Sequence, residues 1–368
     1  MNHLDLFSGI GGFSLGLKKV FNIKHTYYSE IDKYAIDVYK QNFKNSTYVK
    51  SIIDVRAREL PRIDVITFGS PCQDFSLAGK RKGMDGERSS LITEAIRLIK
   101  ECRPRFFIWE NVKGTFSSNS GSDFWAIIQA FTNIGGYRLE WQLLNTKWFL
   151  PQNRQRIYLV GYIGNGSGRQ VFPITESGRK INNIQRQQAD TCTLTTRYEA
   201  GGNGSYIIER ELNAQKTELK QIGTIGKDSE ATRVYNTNCA KTIKDGGGMG
   251  VKTGLYMIKT NNKKGFEIAE PGDTINYQNL PSKTRRGRVG KGIAQTLDSG
   301  GEQAVVNSKI IRRLTPIECE RLQGFPDDWT KTGKELGTIS DSQRYKMCGN
   351  AVTVDVVKAV AEKIKKVI

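Results

Sequence analysis

The sequence predicts an α/β protein, built on a doubly wound sheet over residues 1–163, with a mostly β insertion at 164–308 and a closing segment at 309–368. Three observations predict it. Short apolar runs alternate with segments of helical period as far as residue 163. From Gly164 the composition shifts to Gly, Asn, Thr and Lys and the helical period is lost, and from Arg312 regular structure resumes.

His3 to Phe7 reads as a strand running into FSGIGGF, after which Phe13, Leu17 and Val20 recur on one helical face. Gly9 and Gly11 allow a tight turn and close approach to a ligand, but a dinucleotide fingerprint needs a third glycine where Ser14 stands. Thr26 to Ser29 forms a second strand ending in Glu30, which follows Gly11 at roughly the 20-residue spacing at which a carboxylate reaches a ribose. An adenosine-type cofactor and a plain structural turn both fit the glycines taken alone. A helix is expected from Asp32 to Phe43, and a strand near Tyr48 to Ile53.

Val65 to Phe68 reads as a buried strand that delivers GSPCQDFS to a C-terminal sheet edge, where open parallel sheets bind ligands. An arbitrary cysteine is usually a small buried hydrophobe. Here Pro71 excludes Ser70 from helical geometry, and Gln73, Asp74 and Ser76 surround Cys72 with polar groups, so its thiol reads as a nucleophile. The Gly- and charge-rich loop at 77–88 is expected to be mobile. Leu91, Ile92, Ala95, Ile96 and Ile99 mark a helix, and Phe106 to Trp109 a strand that ends in Glu110, Asn111 and Val112. A second sheet edge thus carries an acid. After a helix through Phe124 and Phe131 and a strand near Leu139 to Leu144, Arg154 and Arg156 precede the strand Ile157 to Ile163. Alternate side chains share a face, so the two guanidiniums can serve one site, or form ordinary ion pairs.

The insertion repeats. Arg186 with Thr193-Leu194, Arg233-Val234 with Ala240 to Ile243, and Arg288-Val289 with Ala294 to Leu297 place threonines about fifty residues apart. Each copy runs on into a short strand, at 206–208, 256–258 and 304–306. Between Thr274 and Leu297 there are no acids, while Lys283, Arg285, Arg286, Arg288 and Lys291 are basic, which suits a phosphate backbone or a solvated surface. Thr315, Pro316 and Glu318 form a capping box for a helix through Leu322. QRYKMCGNAV then leads into a closing helix with Val354, Val357, Val360, Ala361 and Ile364, expected to fold back onto the first lobe.

With 56 Lys+Arg against 37 Asp+Glu, a net charge of +19 favours a polyanionic partner, nucleic acid first. The cysteines at 72, 102, 192, 239, 319 and 348 form no CxxC, and His3 and His25 are the only histidines, so neither zinc, a disulfide framework nor a His-dependent triad is expected. No leader pattern and no long apolar run is present, and a soluble, cytoplasmic, monomeric protein is expected.

In this order DLFSGIGGF, Glu30, GSPCQDFS, ENV, QNRQR, RRLTPIECERLQGFPD and CGNAV resemble the DNA (cytosine-5) methyltransferases of bacteria and phages along the whole chain. The resemblance implies a Rossmann-like S-adenosylmethionine-dependent methyltransferase domain interrupted by a target-recognition domain and completed by the C-terminal segment. It implies that Cys72 attacks C6 of a flipped-out cytosine in duplex DNA, that Glu110 holds N3, and that Arg154 and Arg156 fix the base carbonyl, the phosphate and the site carboxylate. It further implies that Phe7 stacks on adenine, that Gly9 and Gly11 pass the methionine part, and that Glu30 binds the ribose. Ile31, Pro71, Leu91, Asn350 and Ala351 complete the cofactor site, with S-adenosylhomocysteine as product. Ser51 or Asp54 takes the place of the family's adenine-binding acid. Gln73, Ser76, Arg233, Arg285, Arg286 and Arg288 are the expected DNA contacts. A tRNA-acting member, a catalytically silent DNA-binding relative, several target-reading repeats and a companion restriction endonuclease stay open.

Overall fold

The computed structural model describes residues 1–70, 91–116, 121–163, 169–175, 221–224, 233–235, 256–263, 265–277, 288–306 and 311–368. Strand β1 (Asn2–Leu6) runs through the middle of the sheet, and Leu4 and Leu6 on one face, with His3 and Asp5 on the other, are all fully buried. It pairs in parallel with β2 (His25–Ser29) and β4 (Val65–Gly69). Strands β3 (Ser46–Tyr48) and β5 (Phe106–Val112) extend the parallel sheet on either side. Beyond β5 the sheet changes sense. Strand β6 (Arg138–Asn145) forms the edge, the two-residue β7 (Gln152–Asn153) lies outside the sheet, and β8 (Gln155–Tyr162) fits antiparallel between β5 and β6. The resulting order is β3-β2-β1-β4-β5-β8-β6.

Helices cover both faces. On one, α1 (Gly12–Lys18) offers Phe13 and Leu17 to the closing helix, whose Val357, Val360 and Ile364 are buried against the same core. After α2 (Lys33–Asn42), α3 (Leu91–Cys102) and α4 (Ser122–Thr132) bury Ile92, Leu98, Phe124 and Phe131 on the opposite face, against Leu4, Leu6 and Phe68. Each such side chain contributes roughly 1.5–3 kcal/mol of burial. The C-terminal part adds α5 (Pro316–Leu322), α6 (Asp341–Asn350) and α7 (Val354–Ile364). The capping box at Thr315 is formed as expected, with Glu318 reaching back to the Thr315 amide. Helices α1 and α7 meet closely at Gly16, where a Cβ would stand 2.6 Å from Val357 Cγ1.

Three local expectations are corrected. The strand expected over 48–53 is β3 at 46–48, followed by a turn at Lys50, whose φ of 65° ends the extension, and a 3-10 turn at Ile52–Asp54. Helix α1 stops at Lys18, and Val20 reaches the core from the turn after it. Residues 341–350, expected only as a lead-in, are a helix in their own right.

Within the insertion, β9 (Gln221–Thr224) pairs with β10 (Arg233–Tyr235), and β11 (Tyr256–Lys259) with β12 (Phe266–Ala269). Strands β13 (Thr274–Asn276), β14 (Val289–Gly290), β16 (Gln303–Val306) and β17 (Ile311–Arg313) form a four-stranded sheet, while β15 (Ala294–Gln295) pairs in parallel with β7. The strands expected at 256–258 and 304–306 are therefore present, and that at 206–208 lies outside the described residues. Neither composition boundary coincides with a packing boundary. Val171, Phe172 and Ile174 are buried against the seven-stranded sheet, and β17 extends the four-stranded sheet past residue 308. Among the described residues no helix is long and apolar enough to cross a membrane.

Candidate active site

From β1 the chain winds through β2 and β3 to one side and returns through β4 and β5 on the other. The topology therefore opens a crevice at the C-terminal ends of β1 and β4, the usual ligand position in open α/β sheets. A cleft of about 470 Å³ lies there, large enough for a nucleoside-bearing ligand.

Phe7, at φ 52°, and Gly9 line one part of it. Glu30, at the end of β2, is fixed by three backbone amides: Gly9 donates to Oε2 at 2.8 Å, and Ile31 and Asp32 donate to Oε1 at 2.7 and 3.0 Å. A carboxylate has about four acceptor positions, so one is left for a ligand hydroxyl. Ile31, largely exposed, and Leu91 give the cleft apolar walls. Ser51 and Ile52 line it too, and Asp54 is not among the lining residues, which favours Ser51 of the two adenine-side candidates. From α6, Lys346 and Asn350 complete the rim, and Lys346 Nζ reaches Asp32 at 2.6 Å.

At the other end of the cleft β4 delivers Gly69 and Ser70, two residues before Cys72. Ser70 is held firmly: Trp109 Nε1 donates to its Oγ at 3.0 Å, and Asn111 Nδ2 to its carbonyl at 3.1 Å. Asn111 was not singled out by the sequence beyond its place in ENV, and it accounts for that motif physically. Glu110, nearly buried on β5, sits beside Gly69, where a Cβ would come within 3.1 Å of its Oε2. Arg156 Nε approaches Glu110 Oε1 at 3.2 Å, so these two predicted residues are brought together.

Arg154 lines the cleft as well, and it has a second tie. Its guanidinium is buried and turns to the C-terminal segment, donating to the carbonyls of Gly349 at 3.2 Å and Ala351 at 2.9 Å. Desolvation, with the Arg156 charge adding to it, pulls its pKa down to about 10. Ala351 is likewise buried and follows the end of α6 without lining the cleft, a place taken by Gly349 and Asn350. Gly11 faces away from the cleft: at φ 88° it caps α1, and a Cβ there would run into the Phe43 ring. Arg288, expected as an exposed DNA contact, is fully buried and donates to the Asn276 carbonyl at 3.3 Å, which ties it to the sheet of β13 and β14. Pro71, Cys72, Gln73, Ser76, Arg285, Arg286 and the loop at 77–88 lie outside the described residues, as does the side chain of Arg233.

Behind the glycine turn lies a polar cluster that no motif announced. Asp5, fully buried, accepts from Ser14 Oγ at 2.8 Å and Tyr39 OH at 3.4 Å on Oδ2, and from Thr67 Oγ1 at 2.8 Å on Oδ1. His3, also buried, contacts Thr67 Oγ1 at 2.7 Å and Ser14 Oγ at 3.2 Å. Burial pushes the Asp5 carboxyl up to about 7 and the His3 imidazole down to about 3.

A Rossmann-like sheet with an acid at the end of β2 and an acid–arginine pair at the end of β5 defines an enzyme that brings an adenosine-type cofactor against a second reactant. Residues 1–366 match the family model described as C-5 cytosine-specific DNA methylase, and the chain belongs to that family of S-adenosylmethionine-dependent DNA cytosine-5 methyltransferases. It is 31% identical to the type II methyltransferase M1.ScrFI of Lactococcus lactis subsp. cremoris, over 99% of this chain and 78% of that protein. It is 28% identical to the orphan methyltransferase M.SPRI of Bacillus phage SPR, over 98% of this chain and 96% of that protein. Among solved structures, the S. pombe Dnmt2 methyltransferase shares the fold with a TM-score of 0.54 at 18% identity, covering 100% of this chain and 98% of the other.

Proposed function

We propose that the chain methylates C5 of a cytosine flipped out of a specific duplex DNA sequence, with Cys72 as nucleophile. The observation that carries this reading is the shared cleft, with Glu30 fixed by amides at one end and Ser70, Glu110 and Arg156 gathered at the other. S-adenosylmethionine, when bound, supplies an electrophilic methyl group. Its adenosine suits the apolar walls and the free acceptor position on Glu30.

C5 of cytosine is too weak a nucleophile to take a methyl group unaided. The Cys72 thiolate adds to C6 and makes C5 nucleophilic, while Glu110 holds or protonates N3 so that negative charge does not accumulate on the ring. Arg156 keeps the Glu110 carboxylate aligned and helps the site favour a thiolate over a thiol. After transfer, loss of the C5 proton to water expels Cys72. A stacked duplex hides C6, so the base is extruded, and the segment at 77–88 is our candidate for closing over it. Arg154 lines the same cleft while tying down the C-terminal segment, and with Arg156 it fixes the base carbonyl and the phosphate.

In this reading residues 164–308 recognise the target and 309–368 complete the catalytic domain. The enzyme works in the cytoplasm of a bacterial or phage-infected cell, as a monomer, without a metal, and releases S-adenosylhomocysteine. Relatives named both type II and orphan support a protective or marking role, with or without a companion endonuclease. Bisulfite sequencing of mixed-sequence DNA, incubated with S-adenosylmethionine and either the protein or its Cys72→Ala variant, tests the proposal. Cytosines protected only by the unaltered chain are expected; protection by both would remove Cys72 from the mechanism.

A further inference from the structure

The strand hydrogen bonds fix how β1, β2 and β4 lie beside one another, but not how far α1 stands from the sheet. That spacing matters because the turn from β1 into α1 carries Gly9, whose amide holds Glu30 Oε2 at 2.8 Å. Two side chains of β1 span the gap, His3 with contacts to Thr67 Oγ1 at 2.7 Å and Ser14 Oγ at 3.2 Å, and Asp5 with the shorter link to α1. Asp5 Oδ2 takes the Ser14 hydroxyl of α1 at 2.8 Å, and its Oδ1 takes the Thr67 hydroxyl of β4 at 2.8 Å, two residues before the cleft-lining Gly69. Ser14 is in turn 2.6 Å from the Tyr39 hydroxyl of α2, the helix that begins just beyond Glu30. Ser14 stands at the position where a dinucleotide fingerprint would place its third glycine. In that fingerprint the glycine lets helix and strand touch; here a hydroxyl and a buried carboxyl set their separation instead.

We propose that Asp5 and Ser14 are positioning residues for the methyl donor: their contact sets the height of the glycine turn and so the place of Glu30 and Gly69 in the cofactor cleft. The inference rests on that cleft being the cofactor site.

Titration calorimetry with S-adenosylhomocysteine on the full-length protein tests it, run well below the melting temperature of each variant. Ser14→Ala and Asp5→Ala are expected to weaken binding about tenfold while the KM for DNA stays unchanged. Asp5→Asn keeps an oxygen for Thr67 and an N–H for Ser14, and is expected to restore most of the affinity. A purely structural role would lower the melting temperature and leave the affinity of the folded protein alone. If Asp5→Ala does not fold, Ser14→Ala, which deletes a single hydroxyl, decides the matter. Folded variants that bind like the unaltered chain would overturn the positioning role alone. An unaltered chain that binds no S-adenosylhomocysteine would overturn the cleft assignment with it.

Discussion

At the scale of single residues, the catalytic edge is organised by what each polar group is committed to. Glu110 is nearly buried and has Arg156 3.2 Å away, so its carboxylate is ready to meet the base. Glu110→Gln keeps the shape and removes the proton chemistry, and is expected to lower methyl transfer by roughly 10²- to 10⁴-fold with S-adenosylhomocysteine affinity unchanged. Single-turnover kinetics would show it, and a loss below about tenfold would place Glu110 outside the chemistry. Arg154→Ala strands two buried carbonyls and is expected to cost about 2–4 kcal/mol in urea unfolding, with weaker cofactor binding as the segment carrying Asn350 loosens. The meeting of Glu110 with Arg156 was legible, because ENV and QNRQR each stand at a strand end. The tie of Arg154 to the C-terminal segment was not: the carbonyls it serves lie 195 and 197 residues away, and alternation along a strand cannot reveal a partner at that distance. The burial of Arg288 was hidden for a related reason, since a run of basic residues does not say which of them turns inward.

Among the elements, period and glycine placement carried most of the fold. Strands β1, β2, β4 and β5 and helices α2, α3, α4, α5 and α7 fall where apolar spacing puts them. Helix α6 escaped because it buries Arg344 against Glu320 at 3.0 Å, together with Tyr345 and Cys348, and shows no clean apolar stripe. The antiparallel sense of β8 was equally hidden, because a fully buried strand has the same pattern in either direction. Gly16 was not marked by any motif, and its meaning lies in α7, which comes from the far end of the chain. Gly16→Ala forces Val357 aside and is expected to lower stability by about 1–3 kcal/mol in urea unfolding. A change within 0.5 kcal/mol would mean that the two helices can move apart freely.

The molecule as a whole joins a seven-stranded sheet, whose strand and helix alternation could be read from sequence, to smaller sheets whose pairing could not. Three weak repeats suggested β units, but the pairing of β15 with β7, beside the arginine pair, depends on contacts between segments over a hundred residues apart. The Asp5 and His3 pair has a different consequence, visible only when protons are counted over the entire protein. Burial raises Asp5 from 3.8 to about 7, so by itself it makes stability fall as pH rises through that interval. Burial lowers His3 from 6.5 to about 3, so by itself it makes stability rise with pH over that range. Between 3.8 and 6.5 the unfolded pair holds one proton, on the imidazole, and the folded pair holds one, on the carboxyl. Folding moves a proton from one side chain to the other and exchanges none with the solvent, so this buried pair leaves stability level across mildly acidic pH. Asp5→Asn should expose a rise of stability with pH in that window and His3→Gln a fall, both read from urea midpoints. Parallel curves for the two variants would show that the proton stays where it was. A chain with two acid-sensitive groups at its centre is in this way buffered against acid by their proximity.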